Sequence, residues 1–325
     1  MINSRVGIVH LSRSLSIKHS KESFRIVEVG PRDGLQNEKN FVPTASKVEL
    51  INRLSNCGFK AIEATAYVSP KWIPQMADHE QVMAQIQRYP STSYAVFVPN
   101  VAGLQNAMKS GKVDEIAVFC AASETFTKKN VNCTIEESLK RLKEVTELAQ
   151  KNRLRIRGYI STVIGCPYDG KTDPKLVAKL AENLMNLGCY EISLGDTIGV
   201  GSVGSVNSLL DEVSKSVPLE KIAVHFHDTY GQALSNVLAA INKGIRTADS
   251  SVAGLGGCPY AKGATGNLAS EDLVYMLNDV GFDTGIDLEQ LVETGNWICT
   301  IMDRKNVSRS ANALLSLKGV KCNTN

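Results

Sequence analysis

Short apolar runs alternate without a gap with stretches of helical period from residue 24 to about residue 280, and this limits the fold more than anything else in the chain. The runs are FRIVEV (24–29), AIEATAY (61–67), YAVFV (94–98), EIAVF (115–119), RIRGYIS (155–161), YEISL (190–194), IAVHFH (222–227) and TADSSV (247–252). Helices are expected near 44–56, 78–88, 102–110, 135–151, 174–187, 203–216, 231–243 and 268–280, several closing at a glycine just past the last apolar position, as at Gly58, Gly188, Gly244 and Gly281. Eight βα units close most naturally into a (β/α)8 TIM barrel. An open doubly wound sheet would use fewer strands and carry a GxGxxG after the first, which is missing here. The expected architecture is α/β: a single TIM-barrel domain over 24–325, with additional C-terminal helices packed outside the barrel from about 285.

The 325 residues carry a formal net charge of +3, and the basic residues are spread out rather than clustered, so no nucleic-acid partner is expected. No stretch approaches the roughly 20 apolar residues of a membrane-spanning helix, so no membrane partner is expected either. Eight cysteines without a CxxC pair do not read as a secreted disulfide framework, and a reducing compartment is expected. Residues 1–21 contain Arg5, Arg13, Lys18 and Lys21, several serines and no acid before Glu22, the composition of an organelle transit peptide. We therefore expect a mitochondrial transit peptide over 1–23 and a matrix location.

In such barrels the chemistry sits at the carboxyl ends of the strands, where this sequence is rich in polar side chains. GPRDGLQNE follows strand one and brings Arg32, Asp33 and Gln36; strand two carries Glu63, strand five Tyr159, and strand six ends at Asp196. Strand seven ends in HFHD. His225 and His227, two apart in a strand, should face the same side, toward the barrel axis. Two imidazoles there are harder to account for as packing than as metal ligands. With no further histidine at a strand end, the remaining ligands must be oxygens, and Asp33 and Asn267 are the candidates because strands one, seven and eight are neighbours in a closed barrel. This donor set suits six-coordinate Mg²⁺ or Mn²⁺ better than tetrahedral Zn²⁺, although catalytic zinc also accepts histidine and carboxylate.

Gly254 to Gly266 contains five glycines and Cys258, so a mobile loop over the site is expected. Cys258 could act there as acid, base or nucleophile if its pKa is lowered. Arg32 could stabilise a forming enolate or oxyanion, or pair with Glu63 or Asp196. Glu63 and Asp196 are candidate bases, or orient Arg32 and the histidines. Arg32, Gln36 and Tyr159 are the candidate substrate contacts.

The blocks EVGPRDGLQNE, YVSPKWIPQMAD, GCPYDGK, CYEISLGDTIGVG, HFHDTYGQAL and SVAGLGGCPYAKGATGNLA follow one another in an order that resembles the 3-hydroxy-3-methylglutaryl-CoA lyases, metallolyase barrels related to isopropylmalate and homocitrate synthases. The likeness covers roughly residues 24 to 300, and the GGCPYA setting of Cys258 is specific to the lyases. It implies cleavage of 3-hydroxy-3-methylglutaryl-CoA to acetyl-CoA and acetoacetate, as in ketone-body formation and leucine breakdown. It also implies a divalent cation held by Asp33, His225, His227 and Asn267. Cys258 would be the catalytic thiol, with Arg32 steadying the enolate and a base relayed through His225, Asp196 or Cys258. The family generally has Ser where this chain has Ala66, which puts one substrate contact in doubt, and the chain ends in NTN rather than a peroxisomal tripeptide. Cys322 resembles a redox-sensitive C-terminal cysteine that links the subunits of a homodimer.

Two other readings compete. A condensing synthase of the same superfamily, joining acetyl-CoA to a 2-oxo acid, would usually carry a long regulatory region, and only about 40 residues follow the last βα unit. A noncatalytic acyl-CoA-binding barrel would be expected to have lost ligands or Cys258, and all are present.

Overall fold

Eight parallel strands close into a barrel in the computed structural model, which describes residues 21–38, 40–257 and 266–320. They are β1 (Arg25–Glu28), β2 (Ala61–Ala66), β3 (Ser93–Phe97), β4 (Glu115–Ala121), β5 (Arg155–Ser161), β6 (Glu191–Asp196), β7 (Ile222–Phe226) and β8 (Thr247–Ser250). Each pairs with its neighbours in the chain, and β1 closes the ring on β8, with Arg25 opposite Thr247 and Glu28 opposite Ser250.

Helices α1 (Thr44–Asn56), α2 (His79–Gln85), α3 (Val101–Lys109), α4 (Glu124–Val131), α5 (Ile135–Lys151), α6 (Pro174–Asn186), α7 (Val203–Val213), α8 (Ala233–Lys243) and α9 (Ser270–Val280) occupy the crossovers. In α6, Asp173 caps the amino end by accepting from the Lys175 amide and Pro174 opens the first turn, while Val177, Leu180, Ala181 and Leu184 form the buried stripe. Two further helices, α10 (Leu288–Ile301) and α11 (Arg309–Leu317), pack against α1 and α9 from outside, as expected for the C-terminal region. The amino end of the barrel is tied to the close of α9: the Phe24 amide donates to Asp283 O at 3.0 Å, and the Asp283 amide to Glu22 O at 2.9 Å.

Strand parity sorts the side chains of β5 and β6. Ile156, Ile160, Ile192 and Leu194 join the apolar core, while Arg157, Tyr159, Glu191 and Ser193 alternate with them on the other face, Arg157 beside Glu191 and Tyr159 beside Ser193. These polar side chains are buried as well. The barrel axis is therefore filled largely by paired charges, in place of the usual layers of branched apolar residues.

Two local expectations need correcting, and one turn has no counterpart in the sequence pattern. Helix α4 falls where the sequence pattern predicts no helix: ETFTKKNV offers only Phe126 and Thr127 as buried residues, too little for a periodic signal, and its limits come from the Ser123 cap and left-handed Asn132. Strand β8 ends at Ser250 rather than 252, because Val252–Gly254 forms a 3-10 turn. GPRDG after β1 is coiled into one π-helical turn.

Candidate active site

The π-helical turn after β1 presents Arg32 and Asp33 at the carboxyl end of the barrel, beside the ends of β7 and β8. Arg32 is buried; it donates from Nη1 to Asp33 Oδ1 and from Nη2 to Glu63 Oε2, each at 2.8 Å. Its guanidinium lies 5.2 Å from the Phe97 ring centre and 5.7 Å from that of Tyr159. Tyr159 donates to the same Glu63 oxygen at 3.0 Å and accepts from Arg157 Nη1 at 2.7 Å. Arg157 Nη2 then donates to Asp249 Oδ1 at 2.7 Å, and Asp249 Oδ2 is 3.2 Å from His225 Nδ1. The circuit closes where His225 Nε2 lies 3.9 Å from Asp33 Oδ2. Seven side chains from β2, β5, β7, β8 and the first turn thus form one ring.

Asp33, His225 and His227 each offer a ligand atom, all within 4.8 Å of one another. Burial pushes the Asp33 carboxyl up, but Arg32, the two histidines and a hydrogen bond from Asn267 bring it down to about 2. His227, desolvated and beside His225, is lowered to about 4 and so keeps its lone pair at neutral pH. His225 is pushed down by burial and more strongly up by Asp249 and Asp33. With Nδ1 held by Asp249, its Nε2 is turned to Asp33, the arrangement in which a carboxylate orients a metal-binding imidazole. Nδ1 of His227 is buried without a partner among the described residues, and a bound ion or ligand would remove that cost. The donor set therefore fits a divalent cation.

Asn267 joins this group through the backbone. His227 and Asn267 form an antiparallel bridge, and Asn267 Nδ2 donates to Asp33 Oδ2 at 2.8 Å and to Leu255 O at 3.2 Å. The two stems of the glycine-rich segment cross here. A Cβ on Gly266 (φ +92°) would stand 2.2 Å from Gly256 O, and one on Gly256 (φ +111°) would stand 2.8 Å from Asn267 Nδ2. Only glycine permits both the backbone angles and the contact.

The other candidates divide. Glu63 and Tyr159 are in the ring. Asp196 is not: its oxygens accept from the amides of Val200 at 3.3 Å and Gly201 at 2.7 Å, which fastens the loop after β6, and burial raises its pKa. Arg32 accordingly pairs with Glu63 and not with Asp196. Gln36, half-buried after the first turn, is outside the ring. Asp228 accepts from the Ala233 amide at 2.9 Å, at the start of α8. Cys258, with the rest of 258–265, lies outside the described residues, as does Cys322.

Sequence reasoning missed Arg157 and Asp249. The available signal was parity: Arg157 is two residues before Tyr159 on one strand face, and an acid stands mid-strand in TADSSV.

Fold and site define a (β/α)8 barrel with a cluster able to hold a cation at the mouth where such barrels do their chemistry. The chain belongs to the HMGL-like family, whose family model matches residues 23–298. It is 55% identical over 293 residues to the bovine mitochondrial hydroxymethylglutaryl-CoA lyase, covering 90% of each chain. It is 54% identical to a rat 3-hydroxy-3-methylglutaryl-CoA lyase named cytoplasmic, over 90% of this chain and 85% of that one. Among solved structures, the lyase of Pseudomonas aeruginosa superposes with a TM-score of 0.89 at 53% identity, over 91% of this chain and 99% of its own. That of Acinetobacter baumannii, in complex with coenzyme A and 3-methylmalate, gives 0.85 at 36% identity over 92% and 96%.

Proposed function

We propose that this protein is a metal-dependent carbon–carbon lyase that cleaves 3-hydroxy-3-methylglutaryl-CoA to acetyl-CoA and acetoacetate. The observation that carries this is the convergence of Asp33, His225 and His227 beside a buried arginine, in a chain of the HMGL-like family. Asp33, His225, His227 and Asn267 would hold Mg²⁺ or Mn²⁺, which supplies the Lewis acidity that makes the C3 hydroxyl of the substrate easier to ionise.

The chain's own groups do the rest. Asp196 is engaged by two backbone amides, so we assign the hydroxyl proton to the thiolate of Cys258. As the C3–O electrons form the ketone of acetoacetate, the C2–C3 bond breaks and its electrons pass to the thioester as an enolate. The Nε–H of Arg32, buried without a partner among the described residues, is the donor for that enolate oxygen. Glu63 and Asp33 hold the guanidinium in place, and the rings of Phe97 and Tyr159 flank it. Cys258 then returns its proton to C2, giving acetyl-CoA and restoring the thiolate. A groove of about 380 Å³ opens beside Asn267, lined by Tyr230, Asp272, Val307 and Arg309 among others. Gln36, half-buried after the first turn, would be a further substrate contact.

A matrix location, with a transit peptide in the basic, serine-containing segment ahead of Glu22 and a single barrel domain after it, accords with that composition and with the mitochondrial name of the bovine relative. A homodimer linked through Cys322 completes the reading, and non-reducing electrophoresis of the wild type and Cys322→Ser checks it.

Incubation with 3-hydroxy-3-methylglutaryl-CoA and Mn²⁺ should release acetoacetate and acetyl-CoA in equal amounts, and EDTA should stop it. A folded, Mn²⁺-binding protein that releases neither would contradict the assignment and point to condensation of acetyl-CoA with a 2-oxo acid.

A further inference from the structure

Directly after β8 the chain does something costly. Ala253 adopts a left-handed conformation (φ +56°, ψ +15°) within the turn Val252–Gly254, although its Cβ disfavours it. A buried side chain holds its amide there. Glu271, in the first turn of α9 and fully buried, accepts the Ala253 amide on both oxygens, at 3.0 and 2.9 Å. Behind it stands Gly295 of α10, where a Cβ would lie 2.2 Å from Glu271 Oε1, so α10 abuts the carboxylate directly. On the other side the turn leads within two residues to Leu255, whose carbonyl accepts from the Asn267 amide that also donates to Asp33.

We propose that Glu271 is a positioning residue for the cation site: by pinning the left-handed Ala253 turn it fixes Leu255 O, and through it the Asn267 side chain against Asp33, so that α9 and α10 set the site from the outer layer. The inference rests on the cation reading of Asp33, His225, His227 and Asn267. It also gives a reason for the helical extension to be built into the fold at this point, since α10 backs the carboxyl group that holds the Ala253 amide.

Two measurements test it. Glu271→Leu removes both acceptors, whereas Glu271→Gln keeps one. We expect the leucine variant to bind Mn²⁺ about tenfold more weakly, the size of effect typical when a group behind a metal ligand is lost, with the glutamine variant within about twofold of wild type. Equal Mn²⁺ affinities in the leucine, glutamine and wild-type proteins, with only the unfolding temperature changed, would overturn the proposal. Hydrogen exchange of the wild type, followed by mass spectrometry, decides the matter if the leucine variant does not fold. Mn²⁺ should slow exchange in peptides spanning 225–229 and also in those spanning 250–256, because a turn that supports the site is stabilised by what the site binds. Protection confined to 225–229 would overturn the role of Glu271 alone; protection in neither region would overturn the cation reading and this inference with it.

Discussion

Asp249 is where the charge pairs of the barrel axis meet the candidate metal ligands. It accepts from Arg157, from Ser193 at 2.7 Å and from His225, and although burial opposes it these partners hold its carboxyl well below the usual range. Replacing it by Ala leaves the fully buried Arg157 without its main counter-charge, and urea unfolding should show a loss of about 3–5 kcal/mol. Asp249→Asn keeps the shape but not the charge behind His225, and Mn²⁺ affinity, read by electron paramagnetic resonance, should fall about 10- to 100-fold. Arg32→Lys should fold yet lose at least about 100-fold in kcat, since a single ammonium nitrogen cannot span Asp33, Glu63 and the substrate as the three nitrogens of the planar guanidinium do. At this scale the candidate ligands were legible in the sequence, because packing alone seldom sets two histidines at strand spacing opposite an acid after strand one. Arg157 and Asp249 were not, because a charge inside a strand is ordinarily read as solvent-facing, and only closure of the ring turns both inward.

Among the elements, β1, the 252–254 turn and α9 are tied by Glu28. Its Oε1 accepts from the amides of Gly30 and Val252 and its Oε2 from Ser270, yet its burial is complete enough to raise the carboxyl to about 7. The folded protein keeps a proton that the unfolded chain, at the ordinary value of 4.5, has released. Glu28 therefore contributes most stability below about pH 4.5, and the contribution is lost as pH rises through about 7. Asp249 acts oppositely at the acid end, where stability falls as its carboxylate takes up a proton. Glu28→Gln can satisfy the same partners without titrating, so urea midpoints measured across this range should decline less steeply with rising pH, the remaining decline coming from Glu271, which burial raises to about 8. The barrel elements could be read from the alternation of strand and helix signals. The first turn, the 252–254 turn and α4 could not, because each is set by caps and long-range partners such as Glu271 and Ser123, which a local pattern does not contain.

For the whole molecule, the candidate cation site joins the turn after β1, the end of β7 and Asn267, which meet only when the barrel is closed. A ligand that binds the closed barrel alone must stabilise it, by about 2.7 kcal/mol at a hundredfold excess over Kd. Calorimetry should show Tm rising with Mn²⁺ and returning with EDTA. The alternation of eight strands made this closure readable from sequence, while the charged filling of the axis had to be seen. The most direct test of the account pairs acetoacetate release with Mn²⁺ binding in the wild type, Cys258→Ala and His227→Ala. The account predicts that Cys258→Ala binds Mn²⁺ as the wild type does but turns over at least about 100-fold more slowly, and that His227→Ala loses binding and turnover together. Undiminished turnover by either variant would contradict it.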